Sequence, residues 1–288
     1  MRPHRRTSQP PRAPGTDAQV ELSRHEARPL FQLVDGLVEQ VEAPQLDALV
    51  LDGSMDVVVD RHRSGIDVAL GLPLLEALPV SEVRALLLCA LAPARRRARG
   101  KRDSNAAVEN AGEAAGSVVV ATALVRRALV SHVLDEDYWP AVFHGTQSSA
   151  HPHVKPFSSL RRTLRAHVEA GALRTSASRL FAVEPAAEEA PSLAEQLRAL
   201  GVVPLDAVDA ALLPVTSPAT ELVGHAYESI LARLDGKWCE RVDAWWEKAH
   251  EDALRQVLGE ETTPARMWTQ ATALARYSES IERAPTRL

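Results

Sequence analysis

At residues 70–87 the chain reads LGLPLLEALPVSEVRALL, and this stretch decides the fold. A proline near its start opens a short apolar segment over 73–78, and a second apolar run covers 81–92. The second run begins with Ser81 and Glu82, which is typical of a helix N-terminus because a side-chain oxygen caps a free backbone N–H and negative charge is favoured there. The pattern predicts a short helix followed by a longer one.

Short runs rich in Val, Leu and Ile precede this stretch. They are separated by Gly-Ser or Ser-Gly pairs, and they cover 46–52 (LDALVLD), 55–60 (MDVVVD) and 66–70 (IDVAL). Such runs with turn residues between them predict a small antiparallel sheet or meander. Before them, apolar residues at helical spacing over 26–41 predict one helix.

Helical patterns dominate the rest of the chain. The predicted helices cover 106–134, 157–172, 192–200 with Gly201 as its cap, 219–258 with a candidate break at Gly236, and 265–283. The first of these is nearly apolar through its middle, as a central core helix would be. The sequence therefore predicts an α+β fold that is predominantly helical.

The composition divides the chain into a tail and a globular part. We expect a disordered Arg/Pro-rich tail over 1–22, one domain over 23–215 and a C-terminal helical extension over 216–288 that packs on it. A Pro/Ala/Glu-rich stretch at 183–191 is a linker or surface loop.

Charge and hydropathy limit the classes of function. The net charge of −5 does not favour nucleic-acid binding, and the longest uncharged window, 116–125, is too short to span a bilayer. The N-terminus has no apolar segment of the kind found in secretory signals, so we expect a soluble, cytoplasmic protein. Two cysteines, Cys89 and Cys239, do not make a disulfide framework.

Residues 70–87 resemble the lead-in to the zinc-binding helix of HtpX-type zinc metallopeptidases. The strands predicted before them also look like the small sheet beside the active site of that family, where an Asn-Ala pair often lies in the edge strand near the position of Met55-Asp56. The resemblance implies a zincin-like metallopeptidase fold for the domain over 23–215.

The same resemblance places the metal-binding helix, but the residues that would carry the chemistry are replaced. The two zinc-binding histidines fall on Cys89 and Pro93, and the catalytic glutamate falls on Ala90. In an active enzyme two histidines four residues apart grip one zinc ion, and the glutamate is the general base for the zinc-bound water. Pro93 also predicts that the helix ends or kinks near Ala92.

The position of the third zinc ligand is open between two registers. In the favoured register, the family's glutamate and following aspartate fall on Ser104 and Val108; in the other they fall on Glu109 and Glu113. A lone carboxylate does not hold zinc in either case, so we expect no catalytic residue, no metal and no cofactor.

Weaker resemblances name further candidates for a binding groove. Residues 137–140 (DYWP) look like a family helix before the substrate-side loop, which makes Trp139 a candidate. His144, His151 and His153 cluster in a Ser/Pro-rich loop that is either a surface loop bordering the groove or, less favoured, a metal site without pre-organised geometry. With them the groove candidates are Met55, Cys89, Glu109 and Glu113.

Two further patterns allow two interpretations each. The basic run 94–102 is a solvated loop or, less favoured, a patch for an acidic partner. Trp238, Trp245 and Trp246 share one helix face and pack in the core or, less favoured, bind a partner.

These patterns support three hypotheses of function. The first is a pseudo-peptidase, an inactive metallopeptidase homologue that binds a peptide or protein partner, possibly as an accessory factor. The second is an enzyme of different chemistry that uses Cys89 as nucleophile in the old groove. The third is a helical protein that oligomerises or acts as a scaffold through its C-terminal helices.

Overall fold

The structure is a computed structural model, and it describes residues 18–92, 101–169 and 191–257 together with positions 173, 174, 177 and 180. The strands are β1 (Gln19–Glu21), β2 (Leu46–Asp52), β3 (Val57–Arg61) and β4 (Ile66–Gly71). The helices are α1 (Arg28–Gln40), α2 (Leu72–Ala77), α3 (Val80–Leu91), α4 (Lys101–Ala115), α5 (Ser117–Val133), α6 (Trp139–His144), α7 (Pro156–Glu169), α8 (Leu193–Ala199), α9 (Pro204–Ala211) and α10 (Tyr227–Val257). A π-helical turn (Leu134–Tyr138) joins α5 to α6, and short 3-10 turns follow α6 and precede α10.

The four strands form one mixed sheet in the order β1-β2-β4-β3. The prediction of an antiparallel meander was wrong in one respect, because β2 pairs with β4 in parallel while the other two pairings are antiparallel. Alternating apolar residues determine which face of a strand is buried, but they do not determine which strands are neighbours. β4 is largely buried and takes a central place, whereas β3 is mostly exposed and lies at the edge.

The sheet begins earlier in the chain than expected. β1 lies within the stretch 1–22 that the sequence assigns to a tail, yet Val20 is fully buried and pairs with Leu51. Residues 1–17, residues 94–100 of the basic run, residues 183–190 of the predicted linker and the predicted helix over 265–283 lie outside the described residues.

The stretch 70–92 folds as β4, α2 and α3, close to the predicted positions. α3 ends at Leu91, as expected for a helix approaching Pro93, which itself lies outside the described residues. The expected cap at Ser81 was wrong, since the N-cap position is Pro79 and no side chain caps the helix. Glu82 instead turns into the core, where it is 6% exposed.

Of two glycines in the long predicted helices, one breaks its helix and the other does not. The helix predicted over 106–134 is two helices, α4 and α5, because Gly116 takes a φ of +95° that ends the right-handed helix. Gly236 was the other candidate break, but α10 runs through it without interruption.

α5 is the central helix of the protein and packs against α2, α3, α4, α8 and α9. The helical stretch 117–147 is long and apolar enough to cross a membrane by length and composition, but 61% of its most apolar window is buried inside the protein. That degree of burial is consistent with the core helix of a soluble protein.

The C-terminal helix α10 is part of the same core. Trp238 and Trp246 are buried and pack edge-to-face with ring centroids 5.9 Å apart, whereas Trp245 is 41% exposed. Asp235 accepts hydrogen bonds from the backbone N–H groups of Phe157 and Ser158, which fixes the first turn of α7 against α10.

Candidate functional site

The position of the first zinc ligand in the resembled family carries a poorly reactive thiol. Cys89 lies on α3, partly buried and free, and burial raises the pKa of its thiol to about 11 although the nearby Arg127 charge acts in the opposite direction. A nucleophilic cysteine needs the opposite shift, because the thiolate is the reactive form. Ala90 beside it is partly exposed and has no group that could act as a base.

The helix α4 presents the two candidate registers for the third ligand on different faces. Val108 is 4% exposed and lies with the partly buried Ser104 on the side of α4 that faces the core, where α3 packs. Glu109 and Glu113 are exposed on the outer side. The carboxylates of the second register therefore point away from the packed face of α4.

Two of the groove candidates are core residues. Met55 is 6% exposed in the turn before β3, and Trp139 is 4% exposed. The indole of Trp139 packs in an aromatic cluster with Phe143 and Phe157, at centroid distances of 5.9 and 6.1 Å. Both side chains stabilise the fold and are not accessible to a partner.

The three loop histidines differ in burial and in their hydrogen-bond partners. His144 ends α6, and its buried Nδ1 has no hydrogen-bond partner in the part of the chain that the structure describes. His151 is exposed with its Nδ1 3.1 Å from the Asp243 carboxylate, and His153 is exposed. Among residues 18–92, 101–169 and 191–257, no three His, Cys, Asp or Glu side chains are grouped so that they could hold a metal ion. The loop is instead attached to α10, since Trp246 Nε1 donates to the Ser149 carbonyl at 3.0 Å.

The edge strand β3 is the feature of this region that can bind another chain. Hydrogen bonds link Asp56 to Gly71 and His62 to Gly65 across the β3–β4 pair, so the alternation of an antiparallel ladder turns the backbone groups of Val57, Val59 and Arg61 outward. Within the described residues no strand pairs with that outer edge. We call these outward groups the β3 edge.

α3 packs directly beside this edge strand. The start of β3 is also linked to α5, because Arg127 lies 4.0 Å from the Asp56 carboxylate, with both side chains about one-third exposed. The β3 edge and the helix that carries Cys89 are thus neighbours.

A buried ion pair joins α3 to α5. Glu82 receives two hydrogen bonds from the guanidinium of Arg126, at 2.8 and 3.1 Å. The remaining N–H groups of Arg126 donate to the carbonyl oxygens of Ala210, Ala211 and Leu213 at 2.7–3.2 Å. Since an arginine has five N–H donors, every donor of Arg126 is used.

A second pair joins α2 to α7 and is built differently. Arg161 donates from Nε to Glu76 at 2.8 Å and from Nη2 to Thr220 at 2.7 Å. The other carboxyl oxygen of Glu76 is buried without a hydrogen-bond partner in the described part of the chain, and burial raises the pKa of this carboxyl against the opposing charge of Arg161.

The motif-based predictions named only Glu82 of these four charged residues, as part of a helix N-terminus, and they identified neither ion pair, although the sequence carries a signal. Glu76 interrupts an apolar run, and Arg126 lies with Arg127 in the middle of another. A charged side chain at a core position is rare unless it is paired, so such an interruption predicts a buried ion pair. The partner of each charge lies 44 or 85 residues away in sequence and cannot be identified from local spacing.

Comparison of the chain with protein-family models, with characterised proteins and with solved structures found no match.

Proposed function

We propose that the protein is a non-catalytic, peptidase-like binding protein of the cytoplasm that holds an extended segment of a peptide or protein partner at the β3 edge. The carrying observation is the outer edge of β3 beside α3, with which no strand of the described residues pairs. According to the resemblance, Cys89 and Ala90 of α3 take the positions of a metal ligand and a general base. A family relationship to metallopeptidases is part of this proposal, supported by residues 70–87.

The physical basis is addition of a strand to an exposed sheet edge. Val57, Val59 and Arg61 each offer one N–H and one C=O to an incoming chain, so a partner strand gains main-chain hydrogen bonds of any sequence. Val58 is 38% exposed on the face of the strand away from the buried side of β4, and it supplies apolar contact for side chains of the partner.

The two rival functions have less support. A thiol-dependent enzyme needs a base or a positive field that lowers the pKa of Cys89, and burial raises that pKa. Self-association through the aromatic face of α10 would require Trp238 and Trp246 to be exposed, and both are buried within the protein. A homo-oligomer formed through another surface stays a prediction.

The decisive variant is Val59→Pro, which removes one outward N–H and leaves the ladder with β4 intact. Peptides are selected from a random display library on the wild-type protein, and their affinities for both proteins are then measured by calorimetry. We expect V59P to weaken binding by about tenfold or more. We expect N-methylation of alternate peptide residues to weaken binding to the same degree.

The matched control is Val59→Thr, which changes the side chain at the same position but keeps the outward N–H; we expect it to change affinity by less than about threefold. Equal binding to the wild type and V59P would overturn the proposed site. Stoichiometric zinc in the purified protein together with cleavage of unfolded casein would overturn the non-catalytic function itself.

A further inference from the structure

A cavity of about 360 Å³ is enclosed by α2, α5, α7, Leu173 and the segment 213–218. Its volume is within the range of small-molecule sites, about 300–1,000 Å³. Most of the wall is apolar, with Val130 and Val133 from α5, Leu164 from α7 and Val215 from the crossing segment. The wall therefore suits the hydrocarbon part of a ligand.

The polar part of the wall is cationic. Three arginines line the cavity, namely Arg126, Arg161 and Arg165. Only two carboxylates are paired with them in the described residues, Glu82 with Arg126 and Glu76 with Arg161. Arg126 has no donor left for a ligand, because all five N–H groups are bonded to Glu82 and to backbone carbonyls. Its role is to hold the segment that closes the cavity.

Arg161 has donors to spare. Two of its five N–H groups are bonded, one to Glu76 and one to Thr220, which leaves three without a partner among the described residues. Its guanidinium lies over the ring of Tyr227 at 4.8 Å from the centroid, and this contact fixes the orientation of the free donors. The cation is held in place before any ligand arrives.

Arg165 supplies the charge that the protein does not neutralise. It lies one helical turn beyond Arg161 on α7, it is exposed, and it forms no ion pair or hydrogen bond within the part of the chain that the structure describes. Its positive charge acts on Glu76, whose unbonded oxygen is also on this side of the protein. The polar end of the cavity is thus one negative charge short.

We propose that this cavity binds a small anionic amphiphile, an apolar body carrying one carboxylate or similar acid group that is held by Arg161 and Arg165. Guanidinium groups bind planar acid groups through paired N–H donors, and a charge-assisted bond of this kind is about twice as strong as a neutral one. The site is separate from the β3 edge and does not depend on the function proposed for that edge.

The test uses two fluorescent probes that differ only in charge, 8-anilinonaphthalene-1-sulfonate and the uncharged N-phenyl-1-naphthylamine. We expect the wild-type protein to bind one equivalent of the sulfonate about tenfold more tightly than the uncharged probe. The variant Arg165→Gln should lose about that factor for the sulfonate and leave the uncharged probe unchanged. Because Arg165 is exposed, this variant retains the fold.

Arg162→Gln is the matched control, an exposed arginine of the same helix that does not line the cavity, and we expect it to bind both probes as the wild type does. Val215→Trp fills the cavity and should exclude both probes. Equal affinity of the wild type for the two probes, or equal loss in R165Q and R162Q, would overturn the proposal. Unchanged binding in a folded V215W protein would place the probes elsewhere and overturn it as well.

Discussion

The stretch 70–92 passes two chemically different regions, one around Cys89 and one around Glu76. At the Cys89 end, the thiol is partly buried, its neighbour is alanine, and Val108 of α4 faces the core. At the Glu76 end, a buried carboxyl, two available guanidinium groups and a cavity lie together. The motif pointed to the first region, whereas the second combines a carboxyl that has one unbonded oxygen among the described residues with a cavity.

The difference teaches how to separate structural charges from charges available to a ligand. The pair Glu82–Arg126 has side chains 7% and 8% exposed, with every arginine donor used. The pair Glu76–Arg161 has a carboxyl that is 1% exposed and an arginine that is 39% exposed, with donors unused. Saturated hydrogen bonding indicates a structural role, and unsaturated hydrogen bonding beside a cavity indicates a site.

The largest effect is expected for Arg126→Met. This change leaves Glu82 buried without its counter-charge and frees three backbone carbonyls, so the free energy of unfolding should fall by about 3–5 kcal/mol in urea titrations. Arg127→Met is the control, a neighbour about one-third exposed, with a loss below about 1 kcal/mol. If R126M lost as little stability as R127M, the Glu82–Arg126 pair would not be structural.

The next effect is on the reactivity of Cys89. A thiol pKa of about 11 in place of 9.0 lowers the thiolate fraction near pH 8 by about a hundredfold. In a Cys239→Ser background, iodoacetamide should therefore modify Cys89 of the native protein about a hundred times more slowly than Cys89 of the same protein unfolded in guanidinium chloride. Rapid modification of Cys89 in the native protein would support the hypothesis of a thiol-dependent enzyme.

A smaller loss of stability is expected for Arg161→Met. Glu76 loses the one hydrogen-bond donor that the described residues give it, but water can enter from the cavity and the arginine is already 39% exposed. The loss should therefore be about 1–3 kcal/mol. The control is Arg162→Met on the exposed side of α7, with a change within about 0.5 kcal/mol. If R161M destabilises as strongly as R126M, the two ion pairs are equivalent and the contrast fails.

The smallest effect is a change in pH dependence on Glu76→Gln. Burial raises the pKa of this carboxyl above its ordinary value of 4.5, so the folded state binds more protons in that range. The stability contributed by this group is complete below about pH 4.5 and is lost as the pH rises through the raised value.

Since glutamine does not titrate, E76Q should show a shallower fall in the free energy of unfolding from pH 4.5 upward. Urea titrations at several pH values measure the slope. Glu113→Gln, on the exposed side of α4, should keep the wild-type slope. Identical slopes for wild type and E76Q would mean that Glu76 titrates as an exposed carboxyl does.

Local patterns predicted most elements of the fold. The apolar periodicity of α1 and α3 and the short Val-rich runs of β2, β3 and β4 gave these elements within a few residues. The strand order and the parallel β2–β4 pair could not be predicted, because they depend on contacts between distant segments. The break at Gly116 was missed because glycine is also tolerated inside helices, as Gly236 is in α10.

The candidate site was less accessible to sequence reasoning. The chemistry at Cys89 and Ala90 could be judged from residue type alone, since alanine cannot serve as a base. The exposure of Glu109 and Glu113, and the burial of Met55 and Trp139, required the packing of α4 and α6. The cavity could not be anticipated, because its wall comes from α2, α5, α7, Leu173 and the segment 213–218, which are far apart in the sequence.

By itself, the sequence determined the helical character of the protein, the small sheet near its N-terminus and the absence of a base at Ala90, because these follow from local periodicity and side-chain chemistry. Only the tertiary structure decided which strand lies at the edge, which arginine is saturated and which residues enclose the cavity. The reason is physical: hydrogen-bond satisfaction and burial depend on partners up to 87 residues apart along the chain, as for Arg126 and Leu213.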